Sequence, residues 1–413
     1  MLAPLSSFRQ RFAGLGPLIL LVSAVIFVDD IFFTAITPLL PHYVHVFGLT
    51  KSGAGVLVAA YPFGTLLAAI PGGVLASRVG VRRSVIVGLT LMSVATFTFG
   101  LAGSIWLLDV ARFVQGVGGA CTWAGGLAWL TSAAPAGRRA GALGIAFGAA
   151  VGGSLVGPIV GVTASSVGTG PTFAGATGAA VCLVVGSLFV RVPGNDKSQS
   201  VRSVLLALRD LSLAAGLWLT CLSGLAFGLV DVLVPLRLAR LGAGAGVIGA
   251  AFFGAAGLEV FLSPLVGRVS DSRGRRLPVR ILVTFAVGVS LLLPVAAPAG
   301  VLVLVVVVGL SAFGTLFVPA AALTSDGAQR QGLHQGMGFG LANLAWAGGQ
   351  AVAAAGSGTL SRATSDAVPC AILAAAFACT LVLVSLRRPL RTRLASGAKT
   401  AWGRSLDDQA CAE

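Results

Sequence analysis

Long apolar stretches, broken by short polar or basic turns, recur along the whole chain. Twelve can be drawn, over 17–41, 53–76, 84–103, 105–130, 141–164, 171–190, 213–236, 244–266, 278–297, 300–323, 334–359 and 367–386. Each is close to the ~20 residues a helix needs to cross a bilayer. None shows the period-2 alternation of a strand, so the pattern selects helices. The one long polar break between runs, 192–212, contains Pro193, Gly194, Asn195, Asp196 and Lys197. It divides the chain into a six-helix half (1–191), a linker, a second half (213–386) and a basic tail (387–413). Within the linker, 201–211 reads as a short interfacial helix with Arg202 and Arg209 on its wet side. The fold expected is an all-α membrane protein of two pseudo-symmetric six-helix bundles.

The halves repeat. The loop from Gly73 to Arg83 returns as Gly267 to Arg276 at a fixed offset of 194 residues, pairing Gly73 with Gly267, Gly80 with Gly274 and Arg82 with Arg276. Without a gap, the same offset pairs Pro41 with Pro235 and Gly48 with Gly242. A duplicated membrane half-protein accounts for this most simply, and transporters are built that way.

Composition agrees. Of 413 residues, 56% are hydrophobic and 10% charged, against the roughly 25% charge of a soluble domain. Mean hydropathy is +0.96. Lipid is therefore the solvent, and backbone groups in lipid must pair internally. The net charge of +15 sits in short clusters at the ends of apolar runs without interleaved aromatics, which argues for an anionic membrane surface and against nucleic acid. With both termini cytoplasmic, 23 of the 28 Lys and Arg fall on the inner side. Arg9 and Arg11 precede a run too long for a signal peptide, which reads as the first span. The cysteines lack metal spacing. No Gly-Lys phosphate loop, His-Glu-x-x-His or nucleophile–base pair occurs, so an ATP-driven pump and an enzyme are disfavoured, and no cofactor is expected.

Six ionisable residues fall inside spans: Asp29, Asp30, Asp109, Arg112, Asp231 and Glu259. Charges in hydrocarbon are costly unless paired or wetted, so these are candidates for proton or cation binding. Asp29 and Asp30 lie mid-span and point about 100° apart. Arg112 could pair locally with Asp109 or turn toward the first-span acids. Glu259 could pair with Arg268, and Asp231 with Arg237. The repeat equivalents of Asp231 and Glu259 are Thr37 and Thr65, so these acids lie outside the scaffold common to both halves. Phe33, Thr37, Tyr61, Gln115, Trp123, Trp218, Asn343, Trp346 and Gln350 are candidate linings of a cavity for amphipathic or cationic molecules. In the fifth span, Gly153, Gly157, Pro158 and Gly161 combine close helix approach with a bend.

These residues resemble the major facilitator superfamily over nearly the whole chain. The loop signature Gly-x-Leu-Ala-Asp-Arg-x-Gly-Arg-Arg is matched by Gly73, Leu75, Ala76, Arg78, Gly80 and Arg82, with Ser77 in place of the acid and Val81 in place of an Arg. The second copy keeps Asp271, with Gly267, Gly274, Arg275 and Arg276. In the family this loop latches the halves in the outward-facing state. Arg112-x-x-Gln115-Gly116 resembles a fourth-span motif linked to proton coupling. Gly153-x-x-x-Gly157-Pro158-x-x-Gly161 resembles the fifth-span antiporter motif, with Val162 where a final Gly is usual. Asp29-x-x-x-x-Thr34-x-x-x-Pro38-x-x-Pro41 looks like the first span of multidrug exporters. The resemblance implies a monomeric, proton-coupled antiporter of the plasma or inner membrane exporting small amphipathic molecules, with Asp29, Asp30, Arg112, Asp231 and Glu259 in coupling. A proton symporter or facilitator for a nutrient is the alternative, and a non-transporting membrane sensor a distant one.

Overall fold

The computed structural model describes residues 15–135, 138–190, 204, 206–295, 298–333 and 335–386. Arg9, Arg11, most of the linker with Arg202, and the tail lie outside the described residues. Of the interfacial helix expected over 201–211, Val204, Leu206 and Ala207 are helical.

The described residues are helical throughout, with short turns and no strand. The first span is α1 (Gly16–Thr34), a single 3-10 turn (Thr37–Leu39) and α2 (Leu40–Phe47). Then come α3 (Lys51–Val79), α4 (Val81–Gly100), α5 (Ile105–Ala133), α6 (Arg139–Val167) and α7 (Thr169–Phe189). After the linker follow α8 (Leu211–Arg240), α9 (Ala245–Arg273) and α10 (Arg276–Leu292). The tenth span is divided into α11 (Ala299–Thr315) and α12 (Phe317–Arg330), and α13 (Gln335–Ala363) and α14 (Ala367–Leu386) complete the set. Among the described residues, nine of the twelve spans are, by length and composition, long and apolar enough to cross a membrane. The others are α10, which has 17 residues, α5, which carries Asp109, Arg112 and Gln115, and α13, which carries Asn343, Gln350 and Arg362.

The sequence repeat is a conformational repeat. Gly48 and Gly242 end their helices with φ of 60° and 82°, and Gly80 and Gly274 have φ of 93° and 81°. An L side chain is strained in that region, so each pair fixes the same reversal in both halves. Side chains start other helices. The Thr50 hydroxyl accepts from Gly53 N at 3.2 Å, and Asp210 Oδ1 accepts from Ser212 N and Leu213 N at 2.9 and 3.0 Å. Such caps satisfy amide hydrogens that a helix leaves unbonded.

Packing shows the pseudo-symmetry directly. Within the first half α1 packs on α6, α3 on α5 and α4 on α7; within the second, α8 packs on α13, α9 on α11 and α10 on α14. Across the halves α3 meets α13, and α6 meets α9. Small residues permit the closest approaches. A Cβ on Gly116 would stand 2.0 Å from Tyr61 O, and one on Gly228 2.3 Å from Gln350 O. Large apolar side chains such as Leu20, Trp106, Phe189 and Phe261 lie on the outer surface, where lipid accommodates them.

Candidate functional site

A cavity of about 1070 Å³ lies between the two bundles. Its walls are helix stripes. On α9 the stripe is Phe252, Ala255, Ala256, Glu259 and Ser263, a helical face repeating every three to four residues. Both broken spans border it, with Phe33, Thr34 and Thr37 from the first and Gly314, Phe317 and Val318 from the tenth. The cavity reaches the helix ends at Arg139, Gln329 and Leu333. At its other end α3 and α13 close together. A Cβ on Gly55 would stand 2.6 Å from Ala354 O and one on Gly358 2.3 Å from Lys51 O, while the Ser52 and Thr359 hydroxyls are 3.2 Å apart. Asp366 seals that end, pairing with Lys51 and accepting from Arg240 Nη2 at 2.7 Å.

Four acids border the cavity: Asp29, Asp30, Asp231 and Glu259. Asp29 Oδ1 accepts from the Tyr61 hydroxyl at 2.6 Å and Oδ2 from Trp123 Nε1 at 2.8 Å. Asp30 turns toward α6, where Ser154 Oγ donates to its Oδ1 at 3.1 Å. Its Oδ2 is buried without a partner. Asp231 Oδ2 accepts from Gln350 Nε2 at 3.1 Å. The Glu259 carboxylate lies against Gly314, where a Cβ would stand 2.0 Å from Oε2.

Three local pairings open in the sequence do not form. Arg112 does not pair with Asp109. Its Nη1 donates to Phe32 O at 2.8 Å and to Gln115 Oε1 at 3.2 Å, and Nη2 donates to Phe33 O at 3.2 Å. These carbonyls lie just before the break in the first span, and Arg112 satisfies them there. Nor does Arg112 touch a first-span carboxylate; its guanidinium lies 5.0 Å over the ring of Tyr61, which bonds Asp29. Asp231 goes to Gln350, while Arg237 Nη1 donates to Leu293 O at 2.8 Å. Glu259 and Arg268 share no ion pair, because Arg268 lies at the helix end beyond the cavity.

Of the residues singled out as linings, Phe33, Thr37, Tyr61, Trp123, Asn343 and Trp346 border the cavity. Phe33 packs between Tyr61 and Trp346, at centroid distances of 5.1 and 5.3 Å. Gln115, Gln350 and Trp218 do not border it. Gln115 Nε2 donates to Thr96 Oγ1 at 2.9 Å, Gln350 holds Asp231, and Trp218 Nε1 donates to Thr380 at 3.0 Å on α14. In an apolar helix an amide must find a partner, and here that partner is on another helix rather than in the cavity. Sequence reading missed Ser154, Phe147, Phe339 and Ser263. Ser263 falls one turn after Glu259, a spacing that could have shown it.

The fifth-span glycines lie flat on the first span. A Cβ on Gly153 would stand 2.3 Å from Phe27 O, on Gly157 1.8 Å from Thr34 Oγ1, and on Gly161 2.2 Å from Ala35 O. Pro158 borders the cavity at the same depth. Val162, where the motif has a further glycine, projects toward α9, and there the glycine is Gly249, whose Cβ would stand 2.4 Å from Val162 Cγ2. The small residue of this contact lies on the partner helix.

In the repeated loops, Gly73, Arg78 and Asp271 are exposed, and Gly267 lies near Val318. Arg82 Nε donates to Ser187 O at 2.9 Å, at the end of α7. Arg275 Nη1 donates to Ala322 O at 2.7 Å and pairs with Asp326 on α12. Both arginines thus hold helices of their own half.

The Major Facilitator Superfamily model matches residues 22–354. The chain is 30% identical over 105 residues to quinolone resistance protein NorA of Staphylococcus aureus (strain MRSA252), covering 25% of this chain and 27% of the relative. It is 34% identical over 107 residues to multidrug resistance protein Stp of Mycobacterium tuberculosis (strain CDC 1551 / Oshkosh), covering 26% and 20%. The chain therefore matches only about a quarter of the length of these relatives. In fold it is similar to a D-xylose-proton symporter, with a TM-score of 0.72 at 15% identity and coverage of 91% and 98%. It is also similar to a bacterial homologue of the human lysosomal transporter Spinster in an inward-facing conformation, with a TM-score of 0.64 at 15% identity and coverage of 89% and 92%. With twelve spans in two related bundles and a family match across most of its length, the chain belongs to the Major Facilitator Superfamily and is a multi-pass membrane transport protein, not an enzyme.

Proposed function

We propose that this transporter is a proton-coupled antiporter that exports small amphipathic, cationic organic molecules across the cell membrane. The observation that carries the reading is the imbalance of charge in the cavity. Four carboxylates border it, and among the described residues the only basic lining is Arg139 at the mouth. Aromatic rings from Phe33, Tyr61, Trp123, Phe147 and Trp346 line the same space, which suits an apolar body carrying a positive charge. The partial matches to two drug resistance proteins point the same way.

With both termini cytoplasmic, the cavity opens inward and the Asp366 cluster faces outside. Substrate enters from the cytoplasm or inner leaflet. Asp29 or Asp30 takes the proton, and exchange follows because the cavity holds a proton or a cation more readily than both. Arg112 supports this site by fixing the bend of the first span and the Tyr61 ring. The halves rock about the cavity, α6 bearing on α1 through Gly153, Gly157 and Gly161.

The test is proton movement in proteoliposomes under an imposed pH gradient, with lipophilic cations added in turn to wild type, Asp29→Asn and Asp30→Asn. Compound-triggered proton release, lost in a variant, supports antiport and names the coupling acid. Transport without proton movement overturns it and favours a facilitator.

A further inference from the structure

We propose that Glu259 is the seat for the substrate's positive charge, so that substrate and proton are held by carboxylates in different halves of the protein. The inference rests on the exporter reading and adds where the organic cation binds.

The four cavity acids differ in what already occupies them. Both oxygens of Asp29 are taken, by Tyr61 and Trp123. Asp231 is held by Gln350. Asp30 has one oxygen held by Ser154 and the other buried without a partner. A proton can reach such an atom; an organic cation cannot. Among the described residues no hydrogen bond or ion pair reaches Glu259, although its side chain borders the open cavity. It is the acid that a bulky cation can approach and that has nothing to give up on binding.

The surroundings fit an amphipathic guest. Leu310, Phe317 and Val318 face the same part of the cavity from the broken tenth span, and Ser263 offers a hydroxyl one turn along α9. Gly314 supplies the space, because any larger residue there would meet the carboxylate at 2.0 Å. A carboxylate desolvated beside apolar walls attracts a cation more strongly than one in water.

Equilibrium binding to the full-length protein in lipid nanodiscs tests this, with tetraphenylphosphonium as the cationic probe and triphenylphosphine oxide as a neutral one. Glu259→Gln should weaken the cation by roughly 10- to 100-fold and leave the neutral probe within about threefold, which also reports an intact fold. Glu259→Asp should recover part of the loss. Gly314→Ala, which displaces the carboxylate without removing it, should weaken the cation several-fold. Asp29→Asn, which imitates the protonated acid, should weaken the cation less than Glu259→Gln does. Cation binding unchanged in Glu259→Gln but lost in Asp29→Asn or Asp30→Asn overturns the proposal and leaves the exporter reading standing. Failure of the wild type to bind either probe removes both.

Discussion

The Tyr61 hydroxyl donates a 2.6 Å hydrogen bond to Asp29 Oδ1, joining the second span to the first at the wall of the cavity. The ring of the same tyrosine carries the Arg112 guanidinium 5.0 Å from its centroid. Arg112 and Asp29 are therefore coupled through an aromatic ring and not by direct contact, and Tyr61 is the element both share.

Tyr61→Phe keeps the ring under Arg112 and removes only the bond to Asp29. Hydrogen bonds to charged groups are worth about 1.5–3 kcal/mol, so substrate-driven proton release should slow by roughly tenfold or more. Ser165→Ala, at an exposed site near the end of α6, should leave it unchanged. Flux in proteoliposomes measures both, and a wild-type rate in Tyr61→Phe would show that the bond is dispensable to coupling.

The contact between Val162 and Gly249 predicts a reciprocal pair of variants. Gly249→Ala places a methyl 2.4 Å from Val162 Cγ2, where α6 crosses α9 between the halves. Overpacking of this kind costs about 1–3 kcal/mol. The single variant should lose most transport, and Val162→Gly added to it should restore much of it, since the clash is then gone. Transport assays on the four combinations decide the matter. Equal loss in single and double variants would mean that the two side chains act independently.

Much of this architecture was legible in the sequence. Run length and the basic turns located the spans, and the 194-residue offset matched pairs of glycines that adopt the same left-handed turn. The four cavity acids were visible because a carboxylate in an apolar run is too costly to keep without a partner, water or a ligand. What the sequence concealed was direction. A helix that is apolar on every side gives no periodic signal to say which neighbour a polar residue meets, so Gln115 and Gln350, which brace Arg112 and Asp231, read the same as the cavity residue Asn343. The breaks at Thr37–Leu39 and after Thr315 were hidden too, because backbone groups at such a break are satisfied by distant donors, as Arg112 does in the first span. The Asp366 cluster draws its members from three separate turns that only tertiary packing unites.

That cluster predicts a gate. Asp366 belongs to the second half and Lys51 to the first, so their ion pair must break for the cavity to open at that end. Burial pushes the Asp366 carboxyl up, but the bonds from Lys51 and Arg240 outweigh it and hold the group below its ordinary value of 3.8. A lowered value means that the pair contributes above the ordinary carboxylate range and is lost only as pH falls through the lowered value. Mild acidification outside should therefore leave the gate shut, whereas Asp366→Asn should loosen it at neutral pH. In a background without the native cysteines, Thr37→Cys should react with a membrane-impermeant thiol reagent from outside several-fold faster when Asp366→Asn is added. An unchanged rate would mean that Gly55–Ala354 and Gly358–Lys51 packing holds the end closed unaided.

At the opposite end, Asp210 has two tasks that its substitutions separate. Oδ1 caps α8 by accepting from Ser212 N and Leu213 N, and both oxygens accept from Arg330 at the end of α12. The Arg330 bond above all, helped by the two backbone donors, holds the carboxyl below its ordinary value of 3.8 although burial pushes it up. The sign follows as for Asp366: stability from the ionised group is present above that ordinary value and disappears as pH falls through the lowered one. Arg330 is about half exposed, so the ion pair is worth at most ~1 kcal/mol, while losing a cap costs about 1 kcal/mol more. Asp210→Asn keeps a good cap and loses the charge, so its apparent melting temperature in detergent should drop slightly and respond less to acid than the wild type. Asp210→Ala loses both and should drop further at every pH. If the two variants melt together, the cap contributes nothing and the charge pair alone fastens α8 to α12.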